Sequence, residues 1–580
     1  MLGDPLRRWL DLIEGRDSIH GASGKGGDRR VNSLFQGVEI QQEILRIQIR
    51  PGDHHGDPPI VTVEFLHDPP HRDLMGGGEL MVHFDFVHEC DTTDPATFQP
   101  ISQRSLPTPK RNPDVSSNDA PLMLSISGAR GIVGTSMTPE TVARFAAAFG
   151  SMLRETITDR PPRLVVGHDG RRSGGMVSSA AIAGLSATGC EVISLGVTTT
   201  PTVGVMIRDL GCDGGINATA SHNPIAWNGL KCLDSDGLAP PASIADRIIA
   251  RFRENRIDWS EGADCGTVSH RDDAPGLHVE KSTALVDTKV IRKRRFRVVL
   301  DSVAASGCVA GRQQLEALGC DVNHLHGEPT GIFPHTPEPT EANLVELAAA
   351  TRDDPNAVVG FAQDPDADRL AIVDENGRYI GEEYTLVLAA LRMMQRRGGG
   401  PVAANLSTSR MIDDVCAGFE GASVIRTAVG EANVVQGIRA SGGFIGGEGN
   451  GGVIVPEVCF IRDSLSTMAL VLELLATDPE ERTLSEIVDA LPKYAMIKRK
   501  WDLTAIGGRE AVDGILDRVR DHWKDGMVND SDGVRVDIGD RWVHVRPSNT
   551  EPIIRLIAEA PDLAAVEAIA DEAARVAGIG

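Results

Sequence analysis

The chain has 580 residues, and its length alone suggests about four domains rather than one hydrophobic core. Hydrophobic residues make up 41% and charged residues 24%, the balance of an ordinary globular protein. A formal net charge of -24 argues against a general nucleic-acid or membrane-surface binder, because both need a positive field.

The nine cysteines are odd in number and scattered, with no Cys-x-x-Cys pair. That usage fits a reducing compartment and supports neither a disulfide framework nor a cysteine zinc site. No apolar run reaches membrane-spanning length. The opening "MLGDPLRRWLDLIEG" carries early acids and lacks the apolar segment of a secretory signal, so the expected location is cytoplasmic.

Residues 1–120 are rich in Gly, Pro, Asp and His and show weak periodicity, as in "RPGDHHGDPP" and "HDPPHRDLMGGGEL". They read as a low-order extension unable to bury much apolar surface. His54, His55, His67 and His71 lack the fixed spacing of a metal site. A Pro-punctuated linker, "SLPTPKRNPDVSSNDAP", precedes an abrupt return of order at "LMLSISGARGIVG". The expectation is that translation naturally begins at Met123 or a nearby codon.

An internal repeat follows. "RLVVGHDGRRSG", "FRVVLDSVAASG" and "GPVAANLSTSR" are each followed by a helical stretch and then by a Gly-headed apolar run: "GCEVISLG", "GCDVNHLHG" and "GASVIRTA". Strand, polar turn, helix and strand in that order predict parallel or mixed sheets with crossover helices, and three copies predict three related α/β domains. Their expected bounds are 121–280, 281–382 and 383–490. Ligands of such domains gather at loops beyond the strand C-termini. The basic run "IRKRRFR" leads into an apolar strand and reads as a solvated domain edge.

Residues 491–580 are different. "KYAMIKRKWDL", "GVRVDIGDRWVHVRPS" and "PIIRLIAEA" read as strands, and "PDLAAVEAIADEAARVAGIG" as an amphipathic helix. Its apolar face is predicted at Leu563, Val566, Ala570, Ala573 and Ala577, with Gly578 as its stop. This is a fourth, α+β domain bordering a central cleft.

The sharpest chemical signal is "DPDADR". Asp364, Asp366 and Asp368 alternate, so a looped backbone converges them, and their charges and oxygen ligands suit a hard divalent cation such as Mg2+. An acidic turn in solvent is the alternative, but flanking "AVVGFAQ" and "RLAIVD" place the acids at a strand end. A cation and positioned donors are what phosphoryl transfer requires, and Arg369, Lys231 and Arg130 supply donors. "RPSNTEP" puts Arg546, Ser548, Asn549 and Thr550 in one turn, a plausible anion cradle. "GGEGNGGVIVPE" offers Glu448 and Asn450 as hydrogen-bonding groups for hydroxyls in a glycine-rich loop.

Ser221, in "NATASHNPIAWNGLK", stands beside His222 but has no Gly-x-Ser-x-Gly elbow, which disfavours a serine hydrolase. In a polar loop facing a cation site it is suited to carrying a phosphate.

Taken in order, "TASHNP…NGLK", "DPDADR", "GGEGNGG" and "RPSNTEP" resemble the motifs of the α-D-phosphohexomutase superfamily over about residues 122–575. The resemblance implies that Ser221 is phosphorylated at rest and joins Asp364, Asp366 and Asp368 as a ligand of Mg2+. It implies Lys231 and Arg369 as general base and acid and Arg130 as a contact of the phosphoserine loop. It further implies Glu448 and Asn450 as sugar-binding groups. Arg546, Ser548, Asn549 and Thr550 become the grip on the distal phosphate of a small hexose phosphate, with a hexose 1,6-bisphosphate as activator. The loop "GEGNGG" has Asn450 and Gly452 where many bacterial members have Ser and His, a pattern that resembles the archaeal-type branch. Glucosamine 6-phosphate is the favoured substrate, with glucose or mannose phosphates as the alternative. A metal-dependent sugar phosphatase would share the aspartates but would not need the distal cradle.

Overall fold

In the computed structural model the described residues are 36–40, 43–50, 60–65, 122–548 and 552–579. Two compact units divide the chain at residues 111 and 112. The first contains an antiparallel sheet of Gln36–Ile40, Glu43–Arg50 and Ile60–Phe65 in sequence order. Weak periodicity therefore concealed three strands, because "EILRIQIR" and "IVTVEF" alternate only over short spans of a sequence rich in Gly and Pro. The rest of the expected low-order extension, including His54, His55, His67 and His71, lies outside the described residues.

In the second unit the three predicted repeats share one topology. In the first, the strands Glu191–Val197, Arg163–His168, Gly214–Ala218 and Trp227–Asp234 lie side by side in that order. Asp321–Leu325, Arg297–Asp301, Ala357–Gln363 and Leu370–Asp374 repeat the order, and so do Ser423–Thr427, Pro401–Asn405, Ile445–Glu448 and Gly452–Ile454. In each repeat the first three strands are parallel and the fourth is antiparallel to the third. The first repeat adds Val268–His270 at one edge and Gly128–Ile132 with Met123–Ser125 at the other. The inner strands are buried apolar runs, "RLVVGH", "RVVLD" and "AVVGFAQ", as expected where helices cover both faces.

The third-to-fourth strand connection is therefore a short turn at the sheet's carboxyl edge in every repeat. One such turn carries Ser221, the next carries the three aspartates, and the third carries Asn450. All three α/β motifs occupy equivalent places.

The C-terminal domain is a five-stranded antiparallel sheet ordered Ala495–Asp502, Ile553–Ala560, Arg541–Pro547, Val534–Ile538 and Met527–Asn529. Helix Val512–His522 and strand Met527–Asn529 were not legible in the sequence, being short and flanked by polar turns. Helix Leu563–Ala577 ends at Gly578 in the left-handed region (φ 69), as predicted. Its apolar face is corrected at one position: Leu563 is exposed, and Ile569 and Ala574 are buried with Val566, Ala570, Ala573 and Ala577. Leu563 is the first residue of the helix. The basic run is exposed from Arg292 to Arg295 and anchored by buried Ile291 and Phe296, in keeping with a solvated edge.

Helix Ser464–Thr477 packs at the centre, with every residue from Ser464 to Leu475 buried. It is mostly apolar, and its buried polar groups are partnered, Glu473 by Arg392 and Arg396. It is one reason the core of the second and third repeats is continuous, from Val298 and Phe361 through Leu388 to Met468. Its N-cap Asp463 accepts hydrogen bonds from Leu465 and Ser466 backbone N–H at 2.9 and 3.0 Å. The same carboxylate meets buried His278 Nε2 at 3.2 Å, while His278 Nδ1 lies 2.9 Å from Thr202 Oγ1. Asp463→Ala should cost about 2–4 kcal/mol by uncapping the helix and orphaning His278, and Asp463→Asn should cost much less. Thermal unfolding of both variants checks this; equal midpoints would refute the capping argument.

Candidate functional site

Ser221 follows the buried strand Gly214–Ala218 and adopts φ 48, a left-handed conformation that costs a non-glycine residue about 1 kcal/mol or more. The surrounding hydrogen bonds hold it there. Thr219 Oγ1 accepts from Ser221 N–H at 2.8 Å and donates to Asp169 Oδ2 at 2.7 Å. Arg171, buried with Asp169, donates to the carbonyl of Ser221 at 2.6 Å and of Trp227 at 2.7 Å. Its guanidinium thus clamps both ends of the turn.

The Ser221 hydroxyl donates to Asp364 Oδ2 at 3.0 Å. His222 Nδ1 is farther, at 3.4 Å. Burial, then the charges of Arg369 and Arg130, pushes the His222 pKa down to about 3, so the ring is neutral. This is not the short base contact of a hydrolase serine.

Asp364, Asp366 and Asp368 are all buried, and their nearest oxygens lie within 4.8 Å of one another. All three repeats hold their loop in place. Thr200 donates through its N–H to the Asp366 carbonyl at 2.9 Å and through Oγ1 to Asp366 Oδ2 at 2.6 Å. Ser306 Oγ donates to the Pro365 carbonyl and Ser464 Oγ to that of Ala367, both at 2.7 Å. Leu370 N–H donates to Gly451 O at 2.9 Å, and Gly451 at φ 83 lets the backbone come that close, since a Cβ would sit 2.5 Å from the Leu370 carbonyl.

The crowding shows in the electrostatics. Burial, then the charges of Asp368 and Asp364, raises the Asp366 pKa well above the usual carboxylate range. Burial pushes Asp368 the same way, but Arg462, Lys231 and Arg369 together hold it below that range. Arg462 Nη2 donates to Asp368 Oδ2 at 2.6 Å, Lys231 Nζ lies 3.3 Å from the same oxygen, and Arg369 Nε lies 3.3 Å from Asp364 Oδ2. Burial lowers the Arg130 pKa, partly offset by Asp366 and Asp368, so Arg130 stands within the field of the aspartates.

Among the described residues, Asp366 Oδ1 and Asp368 Oδ1 are buried carboxylate oxygens without a hydrogen-bond partner. Three converging carboxylates with such oxygens, facing a serine hydroxyl, fit a hard divalent cation of the Mg2+ type.

Glu448 closes the strand Ile445–Glu448, where it accepts from Asn405 Nδ2 at 2.9 Å, Gly430 N–H at 3.1 Å and Arg462 Nη1 at 2.7 Å. Asn450 Oδ1 accepts from Gly452 N–H at 3.2 Å, which shapes the turn. On the C-terminal sheet, Arg546 Nε donates to Asp532 Oδ2 at 2.9 Å, and the same Asp532 oxygen accepts from Val429 N–H at 3.0 Å. A polar chain therefore runs from Asp368 through Arg462, Glu448 and the 429–430 backbone to Asp532 and Arg546. Ser548, two residues after Arg546, is buried. Asn549 and Thr550 lie outside the described residues.

Besides Arg171, two central residues escaped the sequence reading. Arg462 touches Asp368, Glu448 and, through Nε at 3.2 Å, Glu431. Glu431 also lies 3.9 Å from Lys231. A lone arginine in the apolar run "VCFIRDS" was the available signal, because burial of such a charge demands partners.

A serine facing a carboxylate loop at the edges of three α/β repeats defines the phosphohexomutase class. Models described as phosphoglucomutase/phosphomannomutase alpha/beta/alpha domains I, II and III match residues 123–258, 277–377 and 381–494, and the C-terminal domain matches 505–576. A "Phosphoglucomutase/phosphomannomutase" of Thermococcus kodakarensis is 36% identical over 75% of this chain and 93% of its own. A "Probable phosphoglucosamine mutase" of Methanopyrus kandleri is 34% identical over 77% of this chain and 95% of its own. The crystal structure of a phosphoglucomutase/phosphomannomutase family protein from Burkholderia thailandensis superposes with a TM-score of 0.69 at 26% identity, covering 79% of this chain and 99% of that one. The chain belongs to the phosphoglucomutase/phosphomannomutase family within the α-D-phosphohexomutase superfamily, and it is an intramolecular phosphotransferase.

Arg462→Met leaves Asp368, Glu431 and Glu448 without their shared cation, so turnover of hexose phosphate should fall by about 10²-fold or more. Arg462→Lys should recover only part of this, because it keeps the charge without the fork. Near-native kcat/KM in the Met variant would remove Arg462 from the machinery.

Proposed function

We propose that the chain isomerises a hexose phosphate by moving phosphate between O6 and O1 through phospho-Ser221, with glucosamine 6-phosphate converted to glucosamine 1-phosphate. The observation that carries this reading is the Ser221 hydroxyl held 3.0 Å from Asp364 in a left-handed turn facing three buried aspartates. The proposed ligand set is Ser221, Asp364, Asp366 and Asp368. A Mg2+ ion bound there would supply Lewis-acid polarisation of the transferring phosphoryl group.

In the proposed cycle a free hydroxyl of the sugar attacks phosphorus, the bond from phosphorus to Ser221 Oγ breaks, and a sugar bisphosphate forms. The bisphosphate turns over in the cleft, and Ser221 Oγ takes the other phosphate. Lys231 and Arg369, each 3.3 Å from an aspartate, take the general base and acid roles and donate to phosphoryl oxygens, with Arg130 adding positive field. Glu448 and Asn450 receive the sugar hydroxyls. Arg546, Ser548, Asn549 and Thr550 hold the distal phosphate, so the substrate bridges domains and water is kept from the phosphoserine. A hexose 1,6-bisphosphate would rephosphorylate an enzyme that had lost its phosphate.

The substrate assignment draws on the Methanopyrus relative and on the "GEGNGG" loop, whereas the Thermococcus relative favours glucose or mannose phosphates. A turnover panel of glucosamine, N-acetylglucosamine, glucose and mannose phosphates with Mg2+ separates them. A cytoplasmic location is proposed from the eight free cysteines among the described residues.

Ser221→Ala should lower activity by ~10³-fold or more while substrate binding persists. Intact mass should show one phosphate on the wild type that is absent from the variant. A wild type that isomerises substrate while remaining unphosphorylated after bisphosphate treatment would overturn the mechanism.

Asp366→Ala should abolish turnover, by ~10²-fold at least, without loss of fold, because it removes a ligand from a crowded carboxylate set. Mg2+ titration of activity checks it. An unchanged Mg2+ dependence would place the cation elsewhere.

A further inference from the structure

A second ligand cluster lies at the carboxyl edge of the middle sheet, on residues that the phosphoryl-transfer scheme does not use. Asp301 ends the strand Arg297–Asp301 and pairs with Leu325 of the neighbouring parallel strand, so His326 emerges beside it. His335 returns on the following loop. His326 Nδ1 lies 3.1 Å from Asp301 Oδ1, and His335 Nε2 lies 3.0 Å from Asp301 Oδ2. One ligand atom from each of the three residues falls within 4.8 Å of the others.

The far side of each ring is also held. His335 Nδ1 is 2.8 Å from the Thr336 carbonyl, which can only accept, so Nδ1 carries the hydrogen and turns Nε2 toward Asp301. His326 Nε2 faces Glu346 at 3.3 Å. An imidazole anchored by a carbonyl or carboxylate on one nitrogen, with the other aimed at a shared point, is the arrangement of metal-binding histidines. Asp301 is buried and both rings are partly open, which leaves a further position for water. Two imidazoles and one carboxylate suit zinc-class ions rather than Mg2+, which prefers oxygen.

The cluster is connected to the Ser221 turn. Gly331 N–H donates to the Ala304 carbonyl at 3.0 Å, and Arg172 N–H donates to the Gly331 carbonyl at 3.1 Å. The Arg171 guanidinium, which clamps Ser221, stacks on Phe333 at 5.2 Å. Val303, Ala304 and His326 all have positive φ, at 47, 53 and 50°, so this backbone is held against its local preference.

We propose that Asp301, His326 and His335 bind one divalent transition-metal ion of the zinc class, and that it fixes the 326–336 loop on which the Ser221 clamp packs. The second half rests on the proposed role of Ser221; the first does not. Full-length protein stripped of metal and returned to excess Mg2+ is titrated with Co2+ as the visible probe. The expected result is one equivalent bound with d–d bands of a nitrogen- and oxygen-ligated site. Those bands should be lost, or affinity reduced at least tenfold, in His335→Gln and in His326→Gln, with each variant's fold checked by its melting temperature. They should persist in Asp366→Asn, which separates this site from the aspartate loop. No Co2+ bands in the wild type, or bands that survive both histidine substitutions, would overturn the proposal regardless of whether the chain isomerises hexose phosphates. A proton in place of the metal, giving a plain imidazole–carboxylate pair, predicts the first of those negative results.

Discussion

The structure depends on keeping three buried carboxylates together. Asp364, Asp366 and Asp368 would repel one another strongly in a poorly solvated interior, where each charge is only partly screened. Their cations come from different parts of the chain: Lys231 from the first repeat, Arg369 from the second and Arg462 from the third. The charge balance of one loop thereby fixes how three domains meet. Arg462 contributes most to this, since its fork joins the aspartates to Glu448 and Glu431.

That arrangement is possible because the repeats share a topology. A third strand that turns back into an antiparallel fourth places a tight turn at the carboxyl edge of each sheet, where backbone groups are exposed to a ligand. With the edges brought together, the turns bearing Ser221 and Asn450 both meet the aspartate loop, through Ser221 Oγ to Asp364 and Leu370 N–H to the Gly451 carbonyl. The strained conformation of Ser221 belongs to the same design, because the Arg171 and Thr219 hydrogen bonds offset its backbone cost and leave the hydroxyl aimed at Asp364.

Polar contacts within the interior add specificity that apolar packing alone would not. The Thr202–His278–Asp463 chain ties the first repeat to the N-terminus of the central helix, and Asp532 ties the C-terminal sheet to the 429–430 backbone. Each is a buried or half-buried polar group with a defined partner, and a shifted domain would leave it unsatisfied. The position of Arg546 is consequently set by the same network that holds Glu448.

The sequence by itself determined the three α/β repeats, the aspartate loop, the Ser221 turn and the glycine-rich loop. Strand–turn–helix periodicity and the spacing of carboxylates are local properties, written within about ten residues. Leu563 was assigned to the buried face because periodicity fixes direction around a helix but not which of its residues the rest of the fold covers. Arg462, Glu431 and Arg171 were hidden for a related reason: a single charged residue in a run carries no pattern, and only the folded chain shows the partners that make its burial tolerable. The cluster of Asp301, His326 and His335 likewise has no motif spacing, since parallel strand pairing and a returning loop bring its members together. Local order was set by the sequence, and the meeting of charges from separate repeats was decided by tertiary structure, because electrostatic compensation depends on distance in space rather than along the chain.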